Sequence, residues 1–291
     1  MLLGADPITS FGPALVWAAR HGSDDVHLIA ERHAGVLARR AQCFRSPPSV
    51  WSVDGTSLVA APAEPFAPPP PAAPAPELAE LLVDTDLEVI VEDGIVRGEI
   101  NGLEVARIVH GHTTTGEPLD HPLLEVGVGQ ADRELTGMLH GSLSVVAQLA
   151  RVAEIVRAHR RPGAPPHPLN QLVPERWLRA ALVADPGRIG LERLRPAQPT
   201  IPRANLRERG IAVSLGDGSD GVVVVACSVG VDLDLVPAAA DARLALAPEA
   251  RLVLVVPERD AHPVTVELAA RLTSPAEVVG VEGDWREWGA R

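Results

Sequence analysis

Apolar and polar residues alternate along residues 87–109, a pattern typical of β-strands that place one face in a core. Two dipeptides that favour two-residue hairpin turns, Asp93-Gly94 and Asn101-Gly102, divide this stretch into three antiparallel strands. Together with the apolar segment at 122–128, they predict an antiparallel meander. The face that we expect in the core carries Leu87, Val89, Val91, Val96, Ile100, Leu103 and Val105.

The pattern changes from residue 221, where continuous apolar runs alternate with helical periods. It predicts strands at 221–228, 251–257 and 276–282, with helices at 237–247 and 262–272 between them. A β-α-β-α-β order implies parallel strands joined by right-handed crossovers. We therefore expect a mixed α/β fold: a central antiparallel β-meander flanked by helices, plus a C-terminal βαβαβ parallel unit. One continuous sheet through both parts is compatible with this pattern.

Four regions follow from the distribution of these elements. Residues 1–60 hold a helix at 25–45 and a hairpin at 50–61, and residues 61–76 form a proline-rich linker of polyproline II character. The linker is a spacer or a docking segment for an aromatic groove. Residues 77–210 carry the meander and its helices, and residues 211–291 carry the C-terminal unit. The helices predicted in the third region lie at 77–83, 132–141, 143–160 and 174–185; residues 187–210 look irregular.

Composition excludes several chemistries. All 26 basic residues are arginine, and the chain contains no lysine and no tyrosine. It therefore has no Schiff-base lysine, no P-loop lysine and no Tyr-Lys acid-base pair. Cys43 and Cys227 are far apart and in no metal-ligand spacing, which favours a reduced, cytoplasmic protein. The N-terminus lacks the features of a signal peptide, and no apolar run is long enough to span a membrane.

Charge is distributed unevenly along the chain, whose net charge is −12. Residues 81–135 carry twelve acidic residues and three arginines, whereas residues 151–210 carry twelve arginines and five acidic residues. Nucleic acid is a candidate partner of the arginine-rich stretch, because arginines on one surface bind phosphates. The candidate phosphate-binding residues are Arg157, Arg161, Arg176 and Arg179. An intramolecular salt-bridge contact between the acidic and basic stretches is the alternative.

Three glutamates line up on the second face of the meander, because the turns place Glu88 opposite Glu99 and Glu99 opposite Glu104. Like charges directly opposed destabilise a strand pair, unless water or a counter-charge separates them. Either this face is wet, with Arg97 bridging two glutamates, or a divalent cation or shared proton lies there. Oxygen ligands suit Mg or Mn. The candidate metal ligands are Glu88, Glu99, Glu104, Asp120 and Glu125, with His110, His112 and His121 nearby.

The order of a short helix, carboxylate-bearing antiparallel strands and a long helix over residues 77–160 is similar to the core of the PD-(D/E)XK nucleases. The similarity is one of organisation. That family has a lysine two residues after its second carboxylate, whereas this chain has Ala106 after Glu104 and Gly127 after Glu125. The role of that lysine would fall to Arg107, to Gln130 or to no residue.

The first functional hypothesis is a divalent-metal-dependent phosphodiester hydrolase of nuclease-like organisation, with Glu99, Glu104 and Glu125 as catalytic residues. A metal held there would lower the pKa of a bound water and generate the nucleophile. Two alternatives stay open. One is a non-enzymatic binding or scaffolding protein with its site at the carboxyl ends of the C-terminal strands, which carry Ser228, Asp232, Asp234, Glu258, Arg259 and Asp260. The other is an enzyme on a small acidic metabolite whose carboxylates arginines clamp. Whether the protein is an enzyme is therefore undecided by the sequence.

Overall fold

The computed structural model describes residues 1–4, 6–23, 25–112, 118–130, 132–133, 144–203, 205–219 and 221–288, with the backbone alone at 111–112 and 118–120. Within these residues, seven α-helices and twelve strands form three separate sheets. The mixed α/β class with a meander and a C-terminal parallel unit is confirmed. The continuous sheet is wrong, because the meander and the C-terminal strands pair only among themselves.

The N-terminal unit is a three-stranded sheet with two helices. Its elements are α1 (Pro7–Arg20), β1 (His27–Ala30), α2 (Ala34–Ala41), β2 (Ser49–Asp54) and β3 (Ser57–Ala60). β1 pairs parallel with β2, and β2 pairs antiparallel with β3, so the predicted hairpin is confirmed. The helix predicted over 25–45 is wrong in its first part. Leu28 and Ala30 alternate into the core there and form β1, so only the second part is helical.

The meander has the predicted register. Its elements are α3 (Pro76–Asp84), β4 (Glu88–Glu92), β5 (Ile95–Ile100), β6 (Leu103–His112), β7 (Pro118–Val126) and α4 (Val145–His159). Glu88 pairs with Glu99, and Glu99 pairs with Glu104. Both residues of each turn dipeptide have positive φ, as a type I′ turn requires. Leu87, Val96 and the inward residues of β5 and β6 are buried against α3 and α4.

The C-terminal unit is a five-stranded mixed sheet in the order β12-β11-β10-β9-β8. Its elements are α5 (Pro174–Ala184), β8 (Arg193–Ala197), β9 (Ala212–Gly218), β10 (Gly221–Cys227), α6 (Leu235–Leu246), β11 (Arg251–Pro257), α7 (Pro263–Ala270) and β12 (Glu277–Val281). Strands β10, β11 and β12 are parallel, as predicted. β8 corrects the expectation that 187–210 is irregular. Its arginines and a proline hide a strand pattern that pairing with β9 stabilises.

Helix α5 lies between the C-terminal sheet and the meander. Trp177, Leu178 and Leu182 pack against the C-terminal sheet, while Arg176 and Arg179 reach the glutamates of the meander. Gly102 permits the close approach of the second turn, because a Cβ there would lie 2.4 Å from the carbonyl oxygen of Arg176. Helices therefore lie against both faces of the meander.

The N-terminal unit shares one core with the other face of the C-terminal sheet. Phe11, Leu28 and Leu37 join the apolar side chains of α6, α7, β10 and β11 in this core. Helix α1 lies so close to the loop after β10 that a Cβ on Gly12 would lie 2.0 Å from the carbonyl oxygen of Leu233. The loop at the carboxyl end of β10 is thus held by backbone contact.

The proline-rich segment packs along the protein. The guanidinium of Arg39 lies 4.1 Å from the ring centroid of Phe66, and its Nη1 donates to the carbonyl of Glu64. Further along, Ala73 is buried in the meander core. The segment therefore connects the N-terminal unit with the meander through contacts on both, beyond the role of a simple spacer.

Candidate functional site

Two of the three glutamates in the row formed by Glu88, Glu99 and Glu104 are buried. Glu99 is 0% exposed and Glu104 is 5% exposed, whereas Glu88 at the sheet margin is exposed. The interpretation of this face as wet is therefore wrong for Glu99, which arginines of α5 cover, and for Glu104, which Arg97 and Arg133 cover. Val89 and Val91, expected in the core, are 39% and 54% exposed.

Four side chains form a closed square of ion pairs between α5 and the meander. Arg176 binds Glu99 (Nη1 to Oε1, 2.6 Å) and Glu92. Arg179 binds the second oxygen of each glutamate, at 3.1 Å from Glu99 and 3.2 Å from Glu92. Arginines three residues apart lie on one helix face, and the strands present both carboxylates to that face. The arrangement is the intramolecular salt-bridge contact that charge distribution allowed.

A second set of ion pairs continues along the same face. Arg97 contacts Glu104 at 3.0 Å, and Arg133 contacts the other oxygen of Glu104 at 2.9 Å. Arg133 also lies 3.5 Å from Glu125, which accepts from Arg107 at 2.8 Å. Arg97 thus neutralises one glutamate of the row, where the sequence indicated a bridge between two.

Burial and pairing act in opposite directions on these groups. Burial alone would raise the pKa of Glu92, but Arg176 and Arg179 hold it below its usual value. Likewise burial would lower the pKa of Arg176, and Glu99 and Glu92 raise it instead. Glu88 differs, because burial of its carboxyl and the nearby charge of Glu99 raise its pKa to about 7. Glu88 as a residue is exposed at the sheet margin, and the direction of its pKa shift agrees with repulsion from the buried carboxylate of Glu99.

The carboxylates do not form a ready metal site. Among the residues that the structure describes, no group of three His, Cys, Asp or Glu side chains is placed to hold a metal ion. Arg133 contacts both Glu104 and Glu125, so its guanidinium provides the cation that the two carboxylates share. The side chains of Asp120 and His112 lie outside the described residues. The metal centre therefore stays a prediction, and it would require Arg133 to leave.

The four predicted phosphate-binding arginines do not share one surface. Arg176 and Arg179 are buried in the square, whereas Arg157 donates to the carbonyls of Thr85 and Asp86. Arg161 is exposed and donates to the carbonyl of Ala158 at 3.3 Å. Phosphate binding by this set stays a prediction that would require the square to open.

Arg160 has a structural role that sequence reasoning missed. It is 1% exposed and donates to the carbonyls of Asn101, Leu169 and Leu172, with its guanidinium 4.6 Å from the ring centroid of Trp177. Burial lowers its pKa to about 9. Only its position between a helix end and the second hairpin turn, a tertiary feature, identifies it.

A cavity of about 180 Å³ lies at one edge of the C-terminal sheet. β8 and β10 both run antiparallel to β9, so their carboxyl ends flank the start of β9. The cavity is lined there by residues after β8, before β9 and after β10, and by the first turn of α1. The lining comprises Asp6, Ile8, Thr9, Arg40, Arg176, Pro199, Thr200, Ile201, Pro202, Arg203, Glu208, Arg209, Gly210, Ile211, Asp234 and Ala238.

Two arginines that line this cavity have buried donors without a hydrogen-bond acceptor among the described residues. Arg40 binds Asp234 through Nη1 at 2.9 Å, but its Nε has no hydrogen bond and lies 3.5 Å from Asp241. Arg203 binds Glu175 through Nη2, and its Nη1 has no acceptor. Asp234 Oδ1, on a third residue of the lining, is likewise buried without a donor. Buried polar groups are rarely left in this state, so the lining offers a ligand two donors, one of them already near Asp241, and one acceptor.

Asp234 adds an acidic group to the lining of the cavity. Burial raises its pKa to about 6, while Arg40 acts in the opposite direction. The sequence marked Asp234 as a candidate at a strand end, which is where the structure has it. It missed Arg40 and Arg203, since one lies on an N-terminal helix and the other in a loop.

A larger cavity of about 740 Å³ lies beside α4. Its wall is formed by apolar residues such as Val152, Ile155 and Leu172, with Arg151 and Arg207 at the margin. In the described part of the chain, no residue of this wall has a buried polar atom lacking a partner. The smaller cavity is therefore the better-defined candidate for a specific ligand.

Comparison with known proteins adds no family to this picture, because the sequence matches no protein-family model, no curated protein and no solved structure. Across the described residues, none of the helices has the length and apolar character needed to cross a bilayer.

Proposed function

We propose that this protein binds a small organic acid in the cavity at the carboxyl ends of β8 and β10. The observation that carries the proposal is the pair of unsatisfied buried donors, Arg40 Nε and Arg203 Nη1, on two residues that line this cavity. Guanidinium groups bind carboxylates with charge-assisted hydrogen bonds, and they stay protonated at any physiological pH. In open α/β sheets, ligands bind outside the carboxyl ends of the strands.

The volume of the cavity and the residues that line it limit the kinds of ligand that can bind. A volume of about 180 Å³ equals roughly six water molecules in the liquid, which suits a small molecule. Ile8, Ile201 and Ile211 also line the cavity and add apolar surface to it. A carboxylate with a short hydrocarbon body satisfies both, whereas inorganic phosphate satisfies the donors alone. Binding without catalysis is the simpler form of the proposal, since neither histidine nor cysteine is among the described residues that line this cavity.

A thermal-shift titration tests this function with acetate, propionate, malonate and inorganic phosphate at constant ionic strength. Binding to the folded state alone raises stability by about 2.7 kcal/mol at a ligand concentration 100 times Kd. We expect a saturable rise in Tm with at least one carboxylate. Arg209→Gln should reduce the rise, because exposed Arg209 lines the cavity and donates to the carbonyl of Val231 alone among the described residues.

Arg207→Gln is the matched control. Arg207 is an exposed arginine of the same loop that lines the larger cavity instead. Its variant should respond to the carboxylates as the wild type does. Equal responses in the Arg209 variant and the wild type would contradict the site, and a flat response to all four anions would contradict the function.

The metal-dependent phosphodiester hydrolase predicted from the sequence is the second candidate. Its support is the proximity of Glu104 and Glu125, which one guanidinium bridges. Mg or Mn would have to replace Arg133 between these carboxylates, and Glu99 would have to exchange its arginines for the metal. Nucleic acid as substrate and a cytoplasmic location belong to the same set of predictions.

The replacement of Arg133 by glutamine separates the two candidates. If Mg or Mn binds between the carboxylates, both metals raise the Tm of the Arg133→Gln variant more than that of the wild type. Glu125→Gln in addition should remove the rise. No metal-dependent shift in the wild type or in the Arg133 variant would argue against the hydrolase and leave the acid-binding proposal intact.

A further inference from the structure

The two carboxylate oxygens of Asp234 differ in their partners. Its Oδ2 accepts from Arg40 Nη1 at 2.9 Å, whereas its Oδ1 is buried and has no donor among the described residues. The N–H of Gly12 lies close enough to lower the pKa of this carboxyl, but it forms no hydrogen bond with Oδ1. Since Asp234 lines the small cavity, a donor for Oδ1 has to come from water or from a ligand there.

Arg203 has the opposite requirement in the same cavity. Its Nη2 binds Glu175, and its Nη1 is buried without an acceptor in the described part of the chain. Arg40 Nε is less free, because it already lies 3.5 Å from Asp241. A lining with an unpaired guanidinium donor and an unpaired carboxylate acceptor matches a ligand that carries both an acceptor and a donor.

A positively charged donor suits Asp234 better than a neutral one. Burial raises the pKa of Asp234 to about 6, so its carboxyl is ionised at neutral pH. A ligand with a carboxylate alone would bring a second negative charge into the cavity that Asp234 lines, and like charges disfavour each other. An ammonium group beside the ligand carboxylate offsets that charge and forms a charge-assisted hydrogen bond, whereas a hydroxyl group donates without offsetting it.

The charges of the lining also favour a ligand without net charge. Two of its arginines, Arg176 and Arg203, already bind glutamates that lie outside the lining. The other charged residues of the described lining are two arginines and three acids, namely Arg40, Arg209, Asp6, Glu208 and Asp234. The cavity therefore has no excess of positive charge to compensate a simple anion.

We propose that the ligand of this cavity is an α-amino acid with a short aliphatic side chain, which places its carboxylate on Arg203 and its ammonium group on Asp234. This inference rests on the proposed acid-binding function and adds a second charged group to the ligand. The cavity volume of about 180 Å³ favours a short side chain, and Ile8, Ile201 and Ile211 add apolar surface that such a side chain contacts.

Isothermal titration calorimetry of the full chain at pH 7.5 tests the ligand class with L-alanine, propionate, L-lactate and ethylamine. Propionate lacks the amino group of alanine, lactate has a hydroxyl group in its place, and ethylamine lacks the carboxylate. We expect alanine to bind more tightly than propionate by about tenfold, the ratio expected for one charge-assisted hydrogen bond. Lactate should lie between the two, and ethylamine should not bind.

Asp234→Asn isolates the contact with the ammonium group, because the amide keeps the shape of the side chain and removes its charge. The variant should bind alanine no more tightly than propionate, and its affinity for propionate should not fall. Asp217→Asn is the matched control, since it removes the same charge from β9 outside the cavity lining. It should bind alanine as the wild type does.

The pH dependence of the wild type tests the same contact if Asp234→Asn does not fold. Arg40 of α2 and Asp232 of the preceding loop are the charged groups that act on the Asp234 carboxyl, whose pKa is about 6. Alanine keeps both of its charges between pH 7.5 and pH 5, whereas this carboxyl becomes protonated. The affinity for alanine should therefore fall by about tenfold, since roughly a tenth of the carboxyl is ionised one pH unit below its pKa.

Failure of this inference and failure of the acid-binding function give different results. If propionate binds and alanine binds no more tightly, the amino-acid class is wrong and the acid-binding function stands. Tighter binding of lactate than of alanine, unchanged alanine binding by folded Asp234→Asn, or equal alanine binding at pH 7.5 and pH 5 would each overturn the inference. If neither propionate nor alanine binds, both proposals are wrong.

Discussion

Arg176 and Glu99 form an ion pair with 2.6 Å between Nη1 and Oε1, and neither side chain is more than 9% exposed. The pair joins a helix of the C-terminal unit to a strand of the meander. It belongs to a square in which each of two arginines binds each of two glutamates. The charges of the square therefore balance only while all four members are present.

Loss of one residue of this square should lower the stability of the folded protein. We expect Glu99→Gln to lower the free energy of unfolding by about 3–5 kcal/mol, because it leaves a buried guanidinium without its counter-charge. Urea denaturation measures the change. Glu125→Gln is the control, since the Glu125 side chain is 40% exposed and such pairs contribute about 1 kcal/mol or less. Similar losses in both variants would contradict the role given to burial.

The carboxyl of Glu88 should make stability depend on pH. Its pKa of about 7, against 4.5 in the unfolded chain, means that the folded state holds this proton more firmly. The contribution of Glu88 to stability is therefore present below pH 4.5 and is lost as pH rises to 7. We expect Glu88→Gln to raise the Tm at pH 8 and to leave it almost unchanged at pH 4.5.

Glu80→Gln provides the comparison, because Glu80 is an exposed acid on α3. It should leave the Tm unchanged at both pH values. A lower Tm for Glu88→Gln at pH 8 would mean that the ionised carboxylate is stabilising, opposite to the expectation.

The contact of α1 with the loop after β10 predicts a strict size limit at Gly12. Alanine is normally the better helix residue by about 1 kcal/mol, yet its Cβ would lie 2.0 Å from the backbone oxygen of Leu233. We expect Gly12→Ala to destabilise the protein by about 1–3 kcal/mol, as overpacking does. Gly4→Ala should be neutral, because nothing lies within 4 Å of a Cβ there. Calorimetry of both variants measures these changes in stability.

The two thiols should be unreactive in the folded protein. Burial raises the pKa of Cys43 to about 11 and that of Cys227 to about 12, and thiolates are the reactive form. A thiol-specific chromogenic reagent at pH 8 should detect no thiol in the native protein and both in denaturant. Rapid modification of either cysteine before unfolding would show that its surroundings open.

Local sequence patterns predicted the register of the meander strands, but they did not predict the long-range contacts of those strands. The Asp93-Gly94 and Asn101-Gly102 turns determine the register of three strands, because both dipeptides accept positive φ. The partners of those strands were not accessible in this way. Glu92 and Glu99 bind arginines 77 to 87 residues away, and no local pattern encodes which helix covers a sheet.

The sequence likewise predicted only part of the candidate ligand site. Asp234 could be placed at a strand end from the β-α-β order alone. Arg40 and Arg203 come from a helix of the N-terminal unit and from a loop, and only tertiary packing brings them to one cavity. The early strand at 27–30 was missed because four residues are too few to distinguish two apolar periods.

The layer of guanidinium and carboxylate groups between α5 and the meander has a thermal consequence. Hydration of charged groups becomes less favourable as temperature rises, so the cost of keeping them away from water falls on heating. Apolar burial gains no comparable advantage. Since the layer is dry, added salt reaches it poorly. The interface between α5 and the meander should therefore weaken less than the apolar cores as the protein warms. It should also change little when salt is added.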